Sequence, residues 1–479
     1  MTDDRWHSPL GSRYASPAMQ TLWGERHRIG LWRRLWLALA ETERELGLDI
    51  PEQAIAQMRA HLDDPDLGAA ARYERRFRHD VMAHIHAFGD QAPAARPYLH
   101  LGATSAFVTD NADLIVMRDG LRLLLGRLVA VLGALEQFAT RYAALPCLAY
   151  THFQPAQLTT VGKRATLWMQ DFGLDVEEVC RRIETMRLRG CKGTTGTQAS
   201  FLELLGNNHE RVRELDGRVA AKLGFDAAFP VTGQTYTRKV DSSVLDALSG
   251  IAQSAAKLAG DLRLLQHEGE LLEPFEAEQI GSSAMAYKRN PMRAERISGL
   301  ARFVISLQAN TANTAASQWL ERTLDDSANR RLTLPEGFLG TDAILVLATN
   351  IAAGLEVREE VIRRHVDEQM PFMATERWLM LGTAAGGDRQ SLHEVVRKHS
   401  LVVAEALSRG EPNSLLDRLS NDAAFRDVPA AALKAELDPA KYTGRAPQQV
   451  GEFVKEYLRP LLARARPLAA EAGAAEVRV

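Results

Sequence analysis

The sequence predicts an all-α protein of three helical domains built around a central bundle of long helices, and three observations predict it. Hydrophobic residues fill 46% of the 479 positions but aromatic residues only 6%, with Ala and Leu dominating, a balance that favours helices over strands. Apolar residues recur at helical spacing over unusually long stretches, as in Leu114, Met117, Leu121, Leu124, Leu128, Leu132 and Leu135, and again in Val244, Leu248, Ile251, Ala255, Leu258, Leu262 and Leu265. Alternating strand patterns are almost absent. One domain per ~150 residues gives roughly three domains, drawn at 1–104, 105–357 and 358–479.

In chain order, residues 1–15 read as an irregular arm carrying Arg13 and Tyr14. From Pro17 to about Leu46 the spacing of Leu31, Leu35, Ala38 and Leu39 predicts a helix with a solvated arginine face. A second helix starts near Pro51, and another contains Arg78-His79-Asp80-Val81. The polar island His100-Leu101-Gly102-Ala103-Thr104-Ser105, which offers Thr104 and Ser105 as a capping pair, precedes a helix from about Asp110 to Ala144 that Pro146 ends. A second island, Thr151-His152-Phe153-Gln154-Pro155-Ala156-Gln157, precedes a long helix through about Met186. The stretch from Asp241 to about Gln266 reads as a helix spanning ~38 Å at 1.5 Å per residue. Two more long helices follow Pro291 and Pro335. Beyond about residue 358 the helical segments shorten, and Gly386-Gly387 and Pro429 interrupt them, as in a smaller helical domain. Long helices with apolar residues on more than one side cannot all be covered within one slender subunit, so a homo-oligomer is expected.

Composition excludes several functions. A net charge of -3 argues against a nucleic-acid or anionic-membrane surface. Met1-Thr2-Asp3-Asp4-Arg5 has no signal pattern and no uninterrupted apolar run approaches the ~18 residues of a membrane span, so a cytoplasmic protein is expected. Cys147, Cys180 and Cys191 lack metal or redox spacing and read as free thiols. His79, His84 and His86 lie five and two residues apart, whereas a helix presents metal ligands at i and i+4, so no metal site is expected. The loop Lys192-Gly193-Thr194-Thr195-Gly196-Thr197-Gln198 lacks both the Lys-Ser/Thr ending of a phosphate-binding loop and the spacing of a dinucleotide fingerprint.

The chemistry concentrates in Gly281-Ser282-Ser283-Ala284-Met285-Ala286-Tyr287-Lys288-Arg289-Asn290-Pro291. Gly281 and two serines make a soft segment able to fold over a substrate and release product. Lys288 and Asn290 offer a cation and an amide for a carboxylate while a serine hydroxyl works beside them. Asn290 reads as the cap, and Pro291 as the start, of a helix whose positive end faces the loop. These are the parts a carbanion-forming lyase needs.

The pattern Gly-Ser-Ser-x-Met-x-x-Lys-x-Asn-Pro resembles the signature of the fumarase and aspartase superfamily, which cleaves C–N or C–O bonds to release fumarate. The longer form, with Tyr287, Arg289 and Met292-Arg293, resembles the branch that acts on succinylated purine nucleotides. Ala286 stands where that family usually has proline, a departure that softens the lid and removes no functional group. The resemblance runs from Ser8-Pro9-Leu10 to Thr443-Gly444-Arg445-Ala446.

It implies Ser282 as general base, with Ser283 the alternative, and His152 as the acid that protonates the leaving nitrogen. Thr104 and Ser105 match positions that bind the succinyl carboxylate, and Lys288 and Asn290 bind a carboxylate as well. Arg13 and Tyr14 fall at the phosphate, with Arg78, His79 and Asp80 nearby; Gln234, Arg296, Ser327 and Arg331 are further substrate contacts. It also implies a homotetramer whose sites are each shared by three subunits, working without metal or cofactor. The expected reactions are adenylosuccinate to AMP plus fumarate, and the matching cleavage of succinylaminoimidazole carboxamide ribotide (SAICAR) to AICAR. A sibling lyase for argininosuccinate or aspartate would use the same loop but no phosphate grip, and Arg13-Tyr14 with Tyr287 and Arg289 favour the nucleotide. A non-catalytic protein on the same scaffold is the other alternative; keeping both His152 and Ser282 counts against it.

Overall fold

The computed structural model describes residues 6–276, 278–471 and 477. A single turn at Leu10–Tyr14 breaks the expected irregular arm. The first predicted helix is two: α1 (Pro17–Leu22), capped by Ser16 Oγ on the amide of Met19, and α2 (Glu25–Glu45), separated at Trp23-Gly24. Helices α3 (Glu52–Ala60), α4 (Leu67–Phe77) and α5 (Asp80–Gln91) follow. Arg78 does not lie inside a helix: it ends α4 in the left-handed region at φ 56°, and the His79 ring caps α5 by accepting from the amide of Met82.

Next come α6 (Ser105–Arg141), an antiparallel hairpin of β1 (Pro146–Thr151) and β2 (Gln154–Thr160), and α7 (Val161–Thr185). Helix α6 starts about five residues earlier than Asp110, because Thr104 and Ser105 already adopt the cap and first-turn positions. The hairpin corrects the expectation of an almost strand-free chain. Pro155 is tolerated at its bulge, where the pairing shifts between Ala149 and Tyr150 and no ladder amide is needed from a proline.

After the short α8 (Ala199–Leu204) and α9 (His209–Lys222) come α10 (Lys239–His267), β3 (Leu271–Leu272), α11 (Met292–Ala316), α12 (Asp325–Gly354) and β4 (Glu356–Val357), which pairs with β3. Pro335 does not start a helix; it sits inside α12. A proline there removes one backbone donor, a cost that dense burial outweighs: Leu334, Phe338, Ile344, Leu345 and Ile351 are all at most 2% exposed. Helices α6 and α12 are long and apolar enough to cross a membrane by length and composition. Their apolar residues, including Leu114, Leu121, Leu124 and Phe338, are instead the interior of the bundle.

Helices α6, α7, α10, α11 and α12 run up and down, so the bundle has two ends. At one end the start of α6 meets the starts of α10 and α12, since Arg238 donates to Asp110 at 3.1 and 3.2 Å and to Asp326 at 2.6 Å. At the other, α7 begins beside the end of α6 through the amide of Val161 on the carbonyl of Leu145. Arg164 lies 4.0 Å from Glu270 there, which places the end of α10 and the start of α11 at the hairpin end.

The last third is α13 (Glu359–Met373), α14 (Thr375–Ala384), α15 (Arg389–Ser408), α16 (Leu415–Ser420), α17 (Ala430–Ala435), α18 (Ala446–Glu452) and α19 (Arg459–Ala465). A separate small core forms around Trp378, Leu415, Leu419, Phe425 and Leu433. It begins near residue 374, because Ile362, Val366 and Met370 of α13 still pack into the main core, and Val450, Leu458 and Leu462 return to it. The N-terminal helices likewise share the main core, with Trp32, Trp36 and Phe88 continuous with Phe107 and Leu114.

Candidate active site

The loop from 278 to 291 joins the hairpin end of α10 to α11, and its shape is set by internal bonds. Asn290 Nδ2 donates to the carbonyl of Gly281 at 2.7 Å, and a Cβ on Gly281 would lie 2.0 Å from the carbonyl oxygen of Lys288, so glycine is required for the loop to close on itself. Asn290 therefore does not cap α11. That role falls to Glu273, whose buried carboxylate accepts from the amides of Arg293 and Ala294, both at 3.0 Å. A two-oxygen anion satisfies two of the free amides of the helix start and meets its positive end more fully than one amide oxygen could. Arg293 then braces the loop by donating to Pro274 at 2.6 Å and Glu276 at 2.8 Å.

Within the loop, Ser282 Oγ accepts from the backbone amides of Ala284 at 3.3 Å and Met285 at 3.1 Å. Two N–H donors aimed at one hydroxyl oxygen stabilise negative charge on it, which is what an alkoxide needs. Ser283, by contrast, is exposed, as are Lys288 and Tyr287. Tyr14 reaches this end, with the Arg296 guanidinium 5.6 Å from its ring centre, while Arg13 beside it is exposed.

His152 occupies the tip of the hairpin that precedes α7. Both His152 and Phe153 lie in the left-handed region, at φ 54° and 59°. That is the backbone of a tight two-residue hairpin turn, usually built from glycine or asparagine. The imidazole and Phe153 project into solvent, Phe153 at 78% exposure. A bulky pair held in this region at a loop tip points to a task other than stability.

The opposite end gathers the remaining residues. His79 Nε2 lies 3.4 Å from Ser105 Oγ, and Arg331 donates to Asp80 at 3.2 Å, so the α4–α5 junction, the start of α6 and the start of α12 meet. Because His79 Nδ1 accepts from the amide of Met82 at 3.3 Å, its proton sits on Nε2, facing the serine. Behind this pair His100, at φ 66°, accepts from Trp36 Nε1 at 2.9 Å, and burial lowers its pKa to about 4. Gln234 donates from its side chain to the carbonyl of Thr194 at 3.0 Å and from its amide to Glu321 at 3.0 Å, while Ser327 lies in the first turn of α12. Thr104 caps α6 by backbone position only; its hydroxyl makes no capping bond.

A buried ionic network fixes this end. Arg238 joins Asp110 to Asp326, and Arg330 joins Asp241 at 2.6 Å, the Tyr236 hydroxyl at 2.5 Å and Asp113 at 2.9 Å. Neither arginine stands out in the sequence, because their partners lie about ninety or more residues away. Arg322 is a further cation here, 3.2 Å from Asp326 and beside the Glu321 carbonyl that holds Gln234. Its only sequence signal is an i,i+4 spacing to Asp326.

The two groups of residues are far apart. Helix α6 has 37 residues, about 55 Å at 1.5 Å each. Thr104, Ser105, His79, Asp80, Gln234, Ser327 and Arg331 lie at its start, and His152, Ser282, Lys288 and Arg296 lie at the hairpin end.

Comparison with known proteins bears on what the two groups belong to. A lyase family matches residues 51–306, and a family described as the adenylosuccinate lyase C-terminus matches residues 371–453. Adenylosuccinate lyase of Saccharomyces cerevisiae is 50% identical over 457 residues, covering 95% of each chain, and that of Schizosaccharomyces pombe is 48% identical over 462 residues, covering 96% of each. Adenylosuccinate lyase of Pyrococcus horikoshii is 30% identical over 458 residues, 94% of this chain and 98% of its own. Among solved structures, 3-carboxy-cis,cis-muconate lactonizing enzyme from Pseudomonas putida superposes with a TM-score of 0.81 at 23% identity, covering 97% of this chain and 100% of that one. A fumarate lyase from Mesorhizobium gives 0.77 at 24% identity, covering 94% and 98%. The shared fold and the full-length identity lead to one conclusion: the chain is a lyase and belongs to the adenylosuccinate lyase family of the fumarase and aspartase superfamily.

Proposed function

We propose that this lyase eliminates fumarate from adenylosuccinate to give AMP, and from SAICAR to give AICAR, with Ser282 as general base and His152 as general acid. The observation that carries the reading is the pair of amides on Ser282 Oγ, at 3.3 and 3.1 Å. A serine is a poor base unless its alkoxide is stabilised, and two preorganised N–H groups with the Lys288 ammonium in the same loop supply that stabilisation once water is excluded. The base removes the proton next to the succinyl carboxylate. The doubled negative charge passes into that carboxylate, where Lys288 and Asn290 hold it, while Thr104 and Ser105 bind the succinyl group from the other side. His152 protonates the departing nitrogen, a task for which a histidine is the usual donor at neutral pH. Arg13, Tyr14, Arg78, His79, Asp80, Gln234, Arg296, Ser327 and Arg331 grip the nucleotide; a phosphate and two carboxylates call for several cations.

In this reading the protein is a homotetramer with each site shared by three chains. What supports sharing is the length of α6: its two ends cannot reach one substrate within a single chain. Exposed Leu167 and Leu174 on α7 and Leu264 on α10 support further burial of the bundle against copies of itself.

The test is the absorbance change when purified protein is added to adenylosuccinate, with argininosuccinate and aspartate in parallel. Turnover of adenylosuccinate alone, with no added metal or nucleotide cofactor, is expected. Turnover of argininosuccinate or aspartate instead would overturn the substrate reading, and activity abolished by thorough chelation and restored by a metal would overturn the mechanism.

A further inference from the structure

We propose that the turn joining α11 to α12, residues 317–324, is the apolar wall against which the substrate's base lies, with Trp319 and Leu320 as specificity-determining side chains. The inference rests on the nucleotide substrate proposed above.

The turn is unusual in what it exposes and in how it is held. Leu320 adopts φ 51°, a left-handed backbone that a branched apolar residue rarely takes, and it is 87% exposed. Trp319 is 61% exposed, Leu324 70% and the neighbouring Val231 84%. Large apolar side chains exposed along one turn mark a binding site, and the left-handed backbone at Leu320 indicates that the surrounding structure holds the turn in this shape.

That structure is the end of the bundle that carries Gln234, Ser327 and Arg331. The Glu321 carbonyl accepts from the amide of Gln234 at 3.0 Å, and the approach is so close that a Cβ on Gly233 would lie 2.7 Å from the same oxygen. On the other side the amide of Ser327 donates to the Leu324 carbonyl at 3.1 Å, and Arg322 pairs with Asp326. Trp319 and Leu320 therefore stand on a turn tied at both edges to residues assigned to substrate. Every charged part of that substrate already has a counterpart in the proposed site. Its planar base does not: Tyr14 lies against the Arg296 guanidinium, and the other assigned residues offer charge or hydrogen bonds rather than a flat apolar face. Bases pack on aromatic and apolar side chains in a largely sequence-tolerant way, through their faces.

The two proposed substrates supply the test, since one carries a fused purine and the other a single imidazole ring. Steady-state constants for both are measured in wild type, Trp319→Ala, Trp319→Phe and Leu320→Asn, asparagine being chosen because it tolerates the left-handed backbone. The expected result for Trp319→Ala and Leu320→Asn is a KM for adenylosuccinate raised about tenfold, a smaller rise for the imidazole substrate, little change in kcat, and an unchanged oligomer by mass measurement. Trp319→Phe restores most of the loss. Equal KM values for wild type and variants, with the oligomer intact, overturn the wall. Dissociation of the oligomer, with both substrates affected alike, also overturns it and makes the turn a contact between copies. A wild type that cleaves neither nucleotide refutes the substrate reading itself, and the wall falls with it.

Discussion

Ser282 and Ser283 differ in what surrounds their hydroxyls, and that difference makes them separable. Two backbone amides point at Ser282 Oγ, whereas Ser283 is exposed. Ser282→Ala is expected to lower kcat by about 10³-fold or more while leaving substrate binding largely intact, since it deletes a group that acts mainly in the transition state. Ser283→Ala should retain most activity; a dead Ser283→Ala beside an active Ser282→Ala would move the base by one position. A second residue-scale prediction concerns stability. Glu43 is 1% exposed, neither carboxylate oxygen has a hydrogen-bond partner among the described residues, and burial raises its pKa from 4.5 to about 9. The folded protein thus holds a proton that the unfolded chain releases between pH 4.5 and about 9, so stability from this group is full below that window and is lost as pH rises through it. Glu43→Met, similar in volume and uncharged, should show a smaller fall in Tm between pH ~6 and ~8.5 than wild type. Equal slopes would mean the carboxyl finds a partner. The candidate residues stand out in the sequence because motifs such as Thr-His-Phe-Gln-Pro-Ala-Gln are contiguous. Glu43 and Arg238 do not, since their states depend on neighbours brought close only by folding.

Element by element, periodicity identified the bundle helices, and local chemistry misplaced several of their ends. Asn290-Pro291 carries a standard helix-start signal, yet the start of α11 is taken by Glu273, twenty residues upstream of Arg293 and invisible to local reading. Pro335 reads as a helix start and lies within α12, where packing overrides the lost donor. The hairpin escaped notice because its turn uses His152-Phe153 instead of glycine or asparagine, and Pro155 discourages a strand reading. Glu273 also staples the base of the 278–291 loop, since it holds α11 while Arg293 holds Pro274 and Glu276. Glu273→Ala should therefore cost about 1–2 kcal/mol and expose residues 278–290 to faster proteolytic nicking in the absence of substrate. An unchanged melting curve with unchanged nicking would show that the loop's own Asn290–Gly281 bond holds it without help from the helix.

At the scale of the whole molecule, the two groups of candidate residues lie at opposite ends of one bundle, about 55 Å apart along a helix of 37 residues. Sequence could suggest such a separation from helix lengths, but only the paired contacts at each end show which residues share an end: Arg238 with Asp110 and Asp326 at one, Arg164 near Glu270 at the other. If antiparallel copies bring opposite ends together, a site takes Thr104 and Ser105 from one chain and Ser282 from another. The most direct test is to mix the Thr104→Ala/Ser105→Ala double variant with Ser282→Ala, each inactive alone, and to unfold and reassemble them together. Random equal mixing supplies each intact half with chance one half, so about one quarter of wild-type activity should return under closed symmetric assembly. Mixed oligomers that demonstrably form, by mass measurement of a tagged pair, and yet stay inactive would contradict the shared site.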